Sequence, residues 1–170
     1  GWDYKGVAGA YGSGSHKTGF PGVYAASQTR SADQHIDTLK GGLNHRHDFS
    51  TVMTDENMVD LAAFLKEGLV NDALYIAYAT KQPRGEVDVA NGQSLFTRTC
   101  AACHGEDGKF YNFGSETAPE YVGTLAKGNP WEFIHKVRFG QPGTPMPAAT
   151  TRGWSLQDVL DVMAYAQTLP

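Results

Sequence analysis

The sequence lacks two features that would place it at a membrane or on nucleic acid. None of its apolar runs approaches the roughly 20 residues that a helix needs to span a bilayer, and its Lys and Arg residues form no basic cluster. It has 14 Lys and Arg against 18 Asp and Glu, which gives a formal net charge of -4. Because nucleic-acid binding depends on cationic side chains that neutralise phosphates, this balance argues against a nucleic-acid partner. We therefore expect neither a transmembrane segment nor a nucleic-acid interface in this chain.

Cysteine is also scarce, and both cysteines lie in one short motif at residues 100–104. Cys100 and Cys103 are separated by two alanines, and His104 follows at once. This spacing is typical of c-type haem attachment: two thiols on one helical turn can add to the two vinyl groups of a haem edge, and the imidazole can bind the iron. A disulfide or a thioredoxin-like pair has no use for the histidine, and a two-cysteine zinc site needs further ligands at spacings that are missing here. The motif predicts one covalently attached haem c.

Met146 is the candidate for the second iron ligand. It lies between Pro145 and Pro147, which hold the backbone extended and exclude a helix. A thioether is a soft, uncharged donor, and methionine opposite histidine raises the reduction potential of a haem. Met58 and Met163 occupy positions with helical periodicity, so we interpret them as core residues. His135 is a rival ligand, but it lies in an apolar helical run, where a core or surface histidine is more common.

Two helices are predicted to frame the haem site. One spans residues 88–100, and Gly92 and Phe96 share a face of it. The other begins after Ser155, which has the sequence of an N-cap, and continues toward the end of the chain. A small residue beside an aromatic one lets a second helix cross closely. We expect the two helices to pack against each other.

Residues 86–170 resemble class I cytochromes c. The matching features are the Gly92 and Phe96 helix, the motif at 100–104 continuing into Gly105-Glu106-Asp107-Gly108, the Met146-Pro147 loop and a final helix carrying Tyr165. The resemblance implies a small all-α domain wrapped around one haem. It implies that Cys100 and Cys103 form thioether bonds, that His104 is the proximal axial ligand and that Met146 is the distal one. It also implies that Gly92, Phe96 and Tyr165 form the helix crossing.

Residues 1–82 contain no cysteine but repeat part of the pattern of the second half. Thr54 starts a helix as Ser155 does, and 36–41 corresponds to 135–140. Pro83-Arg84-Gly85 has the composition of a linker. The arrangement resembles two-domain dihaem cytochromes c in which one haem has been lost. The predicted fold is therefore all-α, with two tandem cytochrome c-like domains at 1–82 and 86–170, of which the first is degenerate and rich in glycine and loops.

Three histidines of the first half leave open whether it binds a second haem or a metal ion. The segment 12–16 has small residues where the two cysteines would lie and keeps a histidine, His16, while His45 and His47 lie where the methionine loop would be. These side chains could bind a second haem without thioethers, or a metal ion. The alternative is that they are solvent-facing loop residues.

The leading functional hypothesis is single-electron transfer, because an iron with both axial positions filled by side chains has no open site for a substrate. We expect redox partners to dock at the exposed haem edge. Haem attachment predicts a periplasmic location, and we expect an export signal to have been removed from the chain. A variant of this hypothesis is the electron-transfer subunit of a dehydrogenase complex, docked through the first domain. The rivals are a haem enzyme, such as a peroxidase or a sulfur-compound oxidoreductase, and a sensor with a ligand site in the first domain.

Overall fold

The computed structural model describes residues 1–170 and confirms an all-α fold. Eight α-helices account for nearly all of its regular structure, apart from short 3-10 and π-helical turns and a two-stranded hairpin. The α-helices are α1 (Tyr24–Thr29), α2 (Ala32–Leu39), α3 (Asp55–Ala63), α4 (Val89–Thr99), α5 (Ala101–His104), α6 (Val122–Gly128), α7 (Pro130–Phe139) and α8 (Leu156–Ala166), and the strands are β1 (Ile76–Ala77) and β2 (Gln82–Pro83). None of these helices has the length and apolar character needed to cross a membrane.

The chain divides into two compact units, Gly1–Asn71 and Asp72–Pro170. The division comes earlier in the chain than the predicted linker at residues 83–85. The intervening residues form the β1–β2 hairpin, whose Ile76 is completely buried. The side chain of Gln167, just after α8, donates a hydrogen bond of 2.8 Å to the carbonyl oxygen of Lys81. These contacts belong to the second unit, so the division in the chain falls between residues 71 and 72 rather than at residues 83–85.

The first unit is built around the packing of α2 against α3. The predicted N-cap of α3 is present: the hydroxyl of Thr54 accepts from the amide of Asn57, and the side chain of Asn57 accepts from the amide of Thr54. Such reciprocal bonds satisfy amide donors that the first helical turn leaves without partners. Met58 is buried in α3, as the sequence predicted for a core methionine. The helix then widens into a π-helical turn at Phe64–Gly68.

The second unit contains the predicted crossing of α4 and α8. A Cβ atom on Gly92 would collide with the carbonyl oxygen of Asp161, so only glycine permits this approach. The ring centroids of Phe96 and Tyr165 are 5.4 Å apart, within the range of favourable aromatic pairs. The crossing therefore uses the residues that the sequence indicated, and it forms one wall of the space described next.

The buried carboxylate of Asp161 also links the two helices at this crossing. It accepts hydrogen bonds from the amide of Asp88 at 2.9 Å, from Nδ2 of Asn91 at 2.9 Å and from Nε2 of Gln157 at 2.8 Å. A buried carboxylate is costly unless such donors satisfy it. Here it ties the first turn of α4 to the middle of α8.

Candidate haem site

The motif at residues 100–104 forms the junction between α4 and the single turn of α5. Cys100 ends α4, and its carbonyl oxygen accepts from the amides of Cys103 at 3.1 Å and His104 at 2.9 Å. Gly105 ends the turn at φ +80°, a conformation that favours glycine. The two thiols and the imidazole are thus held on one helical turn.

The four predicted site residues line one cavity of about 520 Å³. Cys100, Cys103, His104 and Met146 all lie in its wall. The volume falls within the range of roughly 300–1,000 Å³ for small-molecule and cofactor sites. The remaining wall is largely apolar and includes Phe96, Val122, Leu125, Phe133, Val137, Pro145, Pro147, Ala149 and Val162. The sequence therefore identified residues that the fold brings together from distant parts of the chain.

The Met146 loop is folded back on the end of α7. Gly140 ends that helix at φ +73°, and a Cβ atom on it would lie 2.8 Å from the carbonyl oxygen of Met146 and 3.2 Å from the amide nitrogen of Ala148. The amide of Met146 donates a hydrogen bond of 3.3 Å to Oγ1 of Thr144. Met146 is half-buried at the cavity, whereas Met163 is fully buried in the core, as predicted.

The donor groups suit a haem. His104 lies in the cavity wall, and its Nδ1 is buried. Burial lowers the pKa of His104 from 6.5, so its imidazole is neutral at pH 7, which is the form that binds metals. Burial also raises the pKa of the Cys100 thiol to about 11. Neutral nitrogen and thioether donors beside apolar walls fit a large, mostly apolar ring with iron at its centre.

Sequence reasoning missed several residues of the cavity wall. The aromatic side chains of Tyr111, Phe113 and Trp154 line it, and so does Arg152, whose positive charge opposes the rise that burial causes in the pKa of Cys100. A signal was present for two of them, because three aromatic residues occur between positions 110 and 113, shortly after the haem motif. Arg152 ends a short 3-10 turn at Ala149–Arg152 and Trp154 follows it, and no periodic pattern in the sequence marks either residue.

His135 does not line the cavity. It is buried in α7, and its Nε2 lies 3.5 Å from Oδ2 of Asp72, which is also buried. The structure therefore places His135 in the core, in agreement with its interpretation as a core histidine. Asp72, its partner, was not singled out by the sequence, since an isolated acidic residue before a hairpin carries no pattern.

The histidines of the first unit lie apart from any metal-binding cluster. His16, His45 and His47 are exposed, and no group of three or more His, Cys, Asp or Glu residues in the chain is arranged to hold a metal ion. The sequence analysis missed His35, which is buried in α2 and has a pKa lowered by burial and by the nearby charges of Arg30 and Lys66. Its spacing of four residues from the buried end of α2 was the signal that could have found it.

Comparison with known protein families gives a match over the second unit. Residues 87–165 match the family described as cytochrome C oxidase, cbb3-type, subunit III. The match supports a c-type cytochrome segment here. It implies haem c as the cofactor, electron transfer as the role and redox proteins as the partners. No curated protein and no solved structure matches the chain.

Proposed function

We propose that the second unit is a monohaem c-type cytochrome that carries single electrons. The observation that carries the proposal is the single cavity in which Cys100, Cys103, His104 and Met146 meet. A haem in this cavity supplies one-electron chemistry at its iron. Cys100 and Cys103 would hold the ring through thioether bonds, and His104 and Met146 would supply ligands to its iron.

This ligand set favours a carrier over an enzyme. If His104 and Met146 both bind the iron, they would leave it no coordination site for a substrate, and the bound haem would supply one-electron chemistry. The apolar wall excludes water from the ring and, together with the thioether of Met146, favours a high reduction potential. The protein side chains thus set the potential, and the haem carries the electron.

We propose that redox partners dock beside Cys103, which is exposed at the cavity edge. Phe110, 72% exposed, lies in the loop that follows the motif and offers an apolar contact at the same end of α5. Brief docking through a small interface suits a carrier that must release its partner quickly. Because thioether attachment requires an export and maturation pathway, we place the protein in the periplasm.

We further propose that the first unit is a degenerate cytochrome c domain without covalent haem. Two features support a common origin. A glycine of positive φ follows each of the helices α2 and α7: Gly41 at +83° comes after the C-cap residue of α2, and Gly140 at +73° is itself the C-cap of α7. Thr54 and Ser155 both open helices with reciprocal capping bonds. We propose that this domain, having lost its haem, is retained because it binds the other subunits of a dehydrogenase complex.

Iron and haem analysis of the purified protein tests these proposals together. We expect one iron per chain and one haem that remains attached to the polypeptide on a denaturing gel. Two irons per chain would contradict the degenerate first domain. A haem that separates from the denatured chain would contradict thioether attachment by Cys100 and Cys103.

A further inference from the structure

The loop at residues 105–121, between α5 and α6, is braced by its own hydrogen bonds at the edge of the cavity. Oδ1 of Asn112 accepts from the amides of Gly114 and Glu120, both at 2.9 Å. The amide of Phe113 also donates to the carbonyl oxygen of Glu120 at 2.8 Å. A surface that already has its shape loses little conformational entropy when a partner binds, so this loop suits docking.

Phe110 gives this loop an apolar contact on its outer surface. It is 72% exposed and does not line the cavity, so its exposure does not depend on what fills the cavity. Its ring lies edge-to-face with that of Tyr111, with centroids 5.0 Å apart and planes at 89°. Its amide donates to the carbonyl oxygen of His104 at 2.9 Å, which joins the loop to the haem motif. Exposed aromatic side chains held in this way are typical of the centre of a protein–protein interface.

Carboxylates lie in the same loop as this apolar contact. A Cβ atom on Gly105 would lie 3.3 Å from Oδ1 of Asp107 and 3.4 Å from Cβ of Phe110, so the carboxylate lies beside the base of the phenylalanine side chain. Glu106 and Glu116 are also exposed in this loop. The apolar contact is therefore accompanied by negative charge.

The charges of the cavity wall cancel, so the loop decides the sign of the charge at this edge. The wall has two acidic and two basic side chains, which are Glu120, Glu132, Lys136 and Arg152. Outside the wall, the loop adds three carboxylates and one lysine, Lys109, whose Nζ lies 5.8 Å from the centre of the Tyr121 ring. The loop thus adds an excess of negative charge beside the cavity, and electrostatic complementarity then favours a positively charged partner surface.

We propose that the loop at residues 105–121 is the docking surface for a redox protein that presents lysine and arginine side chains around an apolar centre. The apolar centre would contact Phe110, and the basic side chains would face Glu106, Asp107 and Glu116. This inference deepens the proposed function, and it rests on that function for the partner being a redox protein. Charge of opposite sign on the two surfaces would speed their encounter and make it sensitive to salt.

The first test compares two small oxidants of opposite charge, the tris(phenanthroline)cobalt(III) cation and the hexacyanoferrate(III) anion. In each reaction the reduced holoprotein loses one electron, and the oxidant gains it to become cobalt(II) or hexacyanoferrate(II). We expect the rate constant with the cobalt cation to fall, and that with hexacyanoferrate to rise, as salt is added. The reverse dependence, or no dependence, would overturn the proposal.

Glu106→Gln/Asp107→Asn removes two of the loop charges from the holoprotein. The amide of Lys109 donates to Oδ1 of Asp107 at 3.0 Å, and an asparagine side chain can still accept this bond. At low ionic strength we expect the rate constant with the cobalt cation to fall about tenfold, the low end of the range for electrostatic steering. The rate constant with hexacyanoferrate should rise. Rate constants that stay unchanged would contradict the proposal.

Glu86→Gln is the matched control for Glu106→Gln. Glu86 is exposed and precedes α4, whose 11 residues span about 16 Å and end at the haem motif. This span exceeds the Debye length of about 10 Å in about 0.1 M salt. In that salt we expect Glu86→Gln to leave both rate constants unchanged, while Glu106→Gln shifts them in opposite directions. Equal effects of the two substitutions would show a response to net charge alone and contradict a docking loop.

A capped pentapeptide of four lysines around a central tryptophan tests the surface without electron transfer. Added to the isotope-labelled, reduced holoprotein, it should shift the backbone NMR signals of residues 105–121, whereas a counterpart with four glutamates should not. The shifts should weaken in Phe110→Ser, which should leave the rate constant with the cobalt cation unchanged because it alters no charge.

Absent shifts in this loop, equal shifts with the glutamate peptide, or shifts that persist in full in Phe110→Ser would overturn the proposal. Failure of the proposed function has a different signature, because a protein without attached haem contradicts the carrier itself. A haem protein that fails the salt and peptide tests refutes only the docking surface.

Discussion

Gly92 in α4 packs directly against the carbonyl group of Asp161 in α8. A Cβ atom at Gly92 would collide with that oxygen and lie 3.0 Å from the amide nitrogen of Val162. Both neighbours are backbone atoms of a helix, which cannot move aside as the end of a flexible side chain can. The two helices would have to separate, and with them one wall of the haem cavity.

Gly92→Ala should therefore destabilise the protein, even though alanine is the better helix former. The intrinsic gain of about 1 kcal/mol from replacing a helical glycine opposes a packing cost of about 1–3 kcal/mol or more for overfilling a tight contact. We expect the cost to prevail and the midpoint of thermal unfolding of the holoprotein to fall. Gly128→Ala is the control, because a Cβ atom at Gly128 meets nothing within 4 Å. Equal stability of the two variants would contradict a close helix crossing.

Ser155→Ala should weaken the start of α8. The hydroxyl of Ser155 accepts from the amide of Asp158, and loss of such an N-cap costs about 1 kcal/mol. Denaturant unfolding of the holoprotein, followed by haem absorbance, measures the change. Thr54→Ala is the matched control, because Thr54 caps α3 in the first unit with the same pair of bonds. The haem signal should respond more strongly to Ser155→Ala, and an equal or weaker response would contradict the role of this cap at the haem site.

The same cap predicts a pH dependence. The side-chain hydrogen bond from Ser155 is the main cause that lowers the pKa of Asp158 below its ordinary value of 3.8. A carboxyl whose pKa is lower in the folded state stabilises the fold above its unfolded pKa, and this contribution is lost as the pH falls through the folded pKa. As the pH falls from about 5 to about 2, the free energy of unfolding should therefore decline less in Asp158→Asn than in the unmodified protein. Parallel pH profiles of the two proteins would contradict this role.

The helix starts and the helix crossing were predictable because each is marked by a few residues that lie close together in the sequence. A capping residue such as Ser155 shows itself within four positions, and Gly92 and Phe96 mark a shared face by their spacing alone. The boundary between the units was not predictable in this way. Residues 83–85 have linker composition, but Pro83 pairs with Ile76 and so belongs to the hairpin, and such pairing depends on the whole fold.

Met146→Ala should leave the haem attached but change the reduction potential and the ligand binding of its iron. Loss of the thioether removes the ligand that favours the reduced state, so the reduction potential should fall, and the open position should bind cyanide or imidazole rapidly. Redox titration and ligand-binding spectra measure both effects. Met53→Ala is the control, because Met53 is also half-buried but does not line the cavity. An unchanged potential in Met146→Ala would exclude Met146 as the ligand.

Replacing Cys100 and Cys103 together by serine should abolish covalent haem. The second unit should then fold poorly, because a cavity of about 520 Å³ with largely apolar walls would be left to water. Haem staining of a denaturing gel and circular dichroism check the two effects. A colourless variant with unchanged helix content and unfolding midpoint would contradict a core built around the ring.

The loop at residues 105–121, between α5 and α6, shows what the sequence could not reveal about the site. Cys100 and His104 were recognisable because their chemistry demands a fixed spacing, and Met146 because prolines flank it. The rings of Tyr111 and Phe113 lie beside the imidazole of His104, in a loop where Oδ1 of Asn112 accepts from the amides of Gly114 and Glu120. No periodic pattern records such a contact, so these neighbours of His104 emerge only from the structure.

The optical spectrum of the purified, oxidised protein tests the central claim most directly. The account predicts a low-spin haem that shows the weak red absorption band of methionine–iron ligation and reacts slowly with added cyanide. A high-spin spectrum that lacks this band and binds cyanide at once would contradict an electron carrier with both axial positions filled by His104 and Met146.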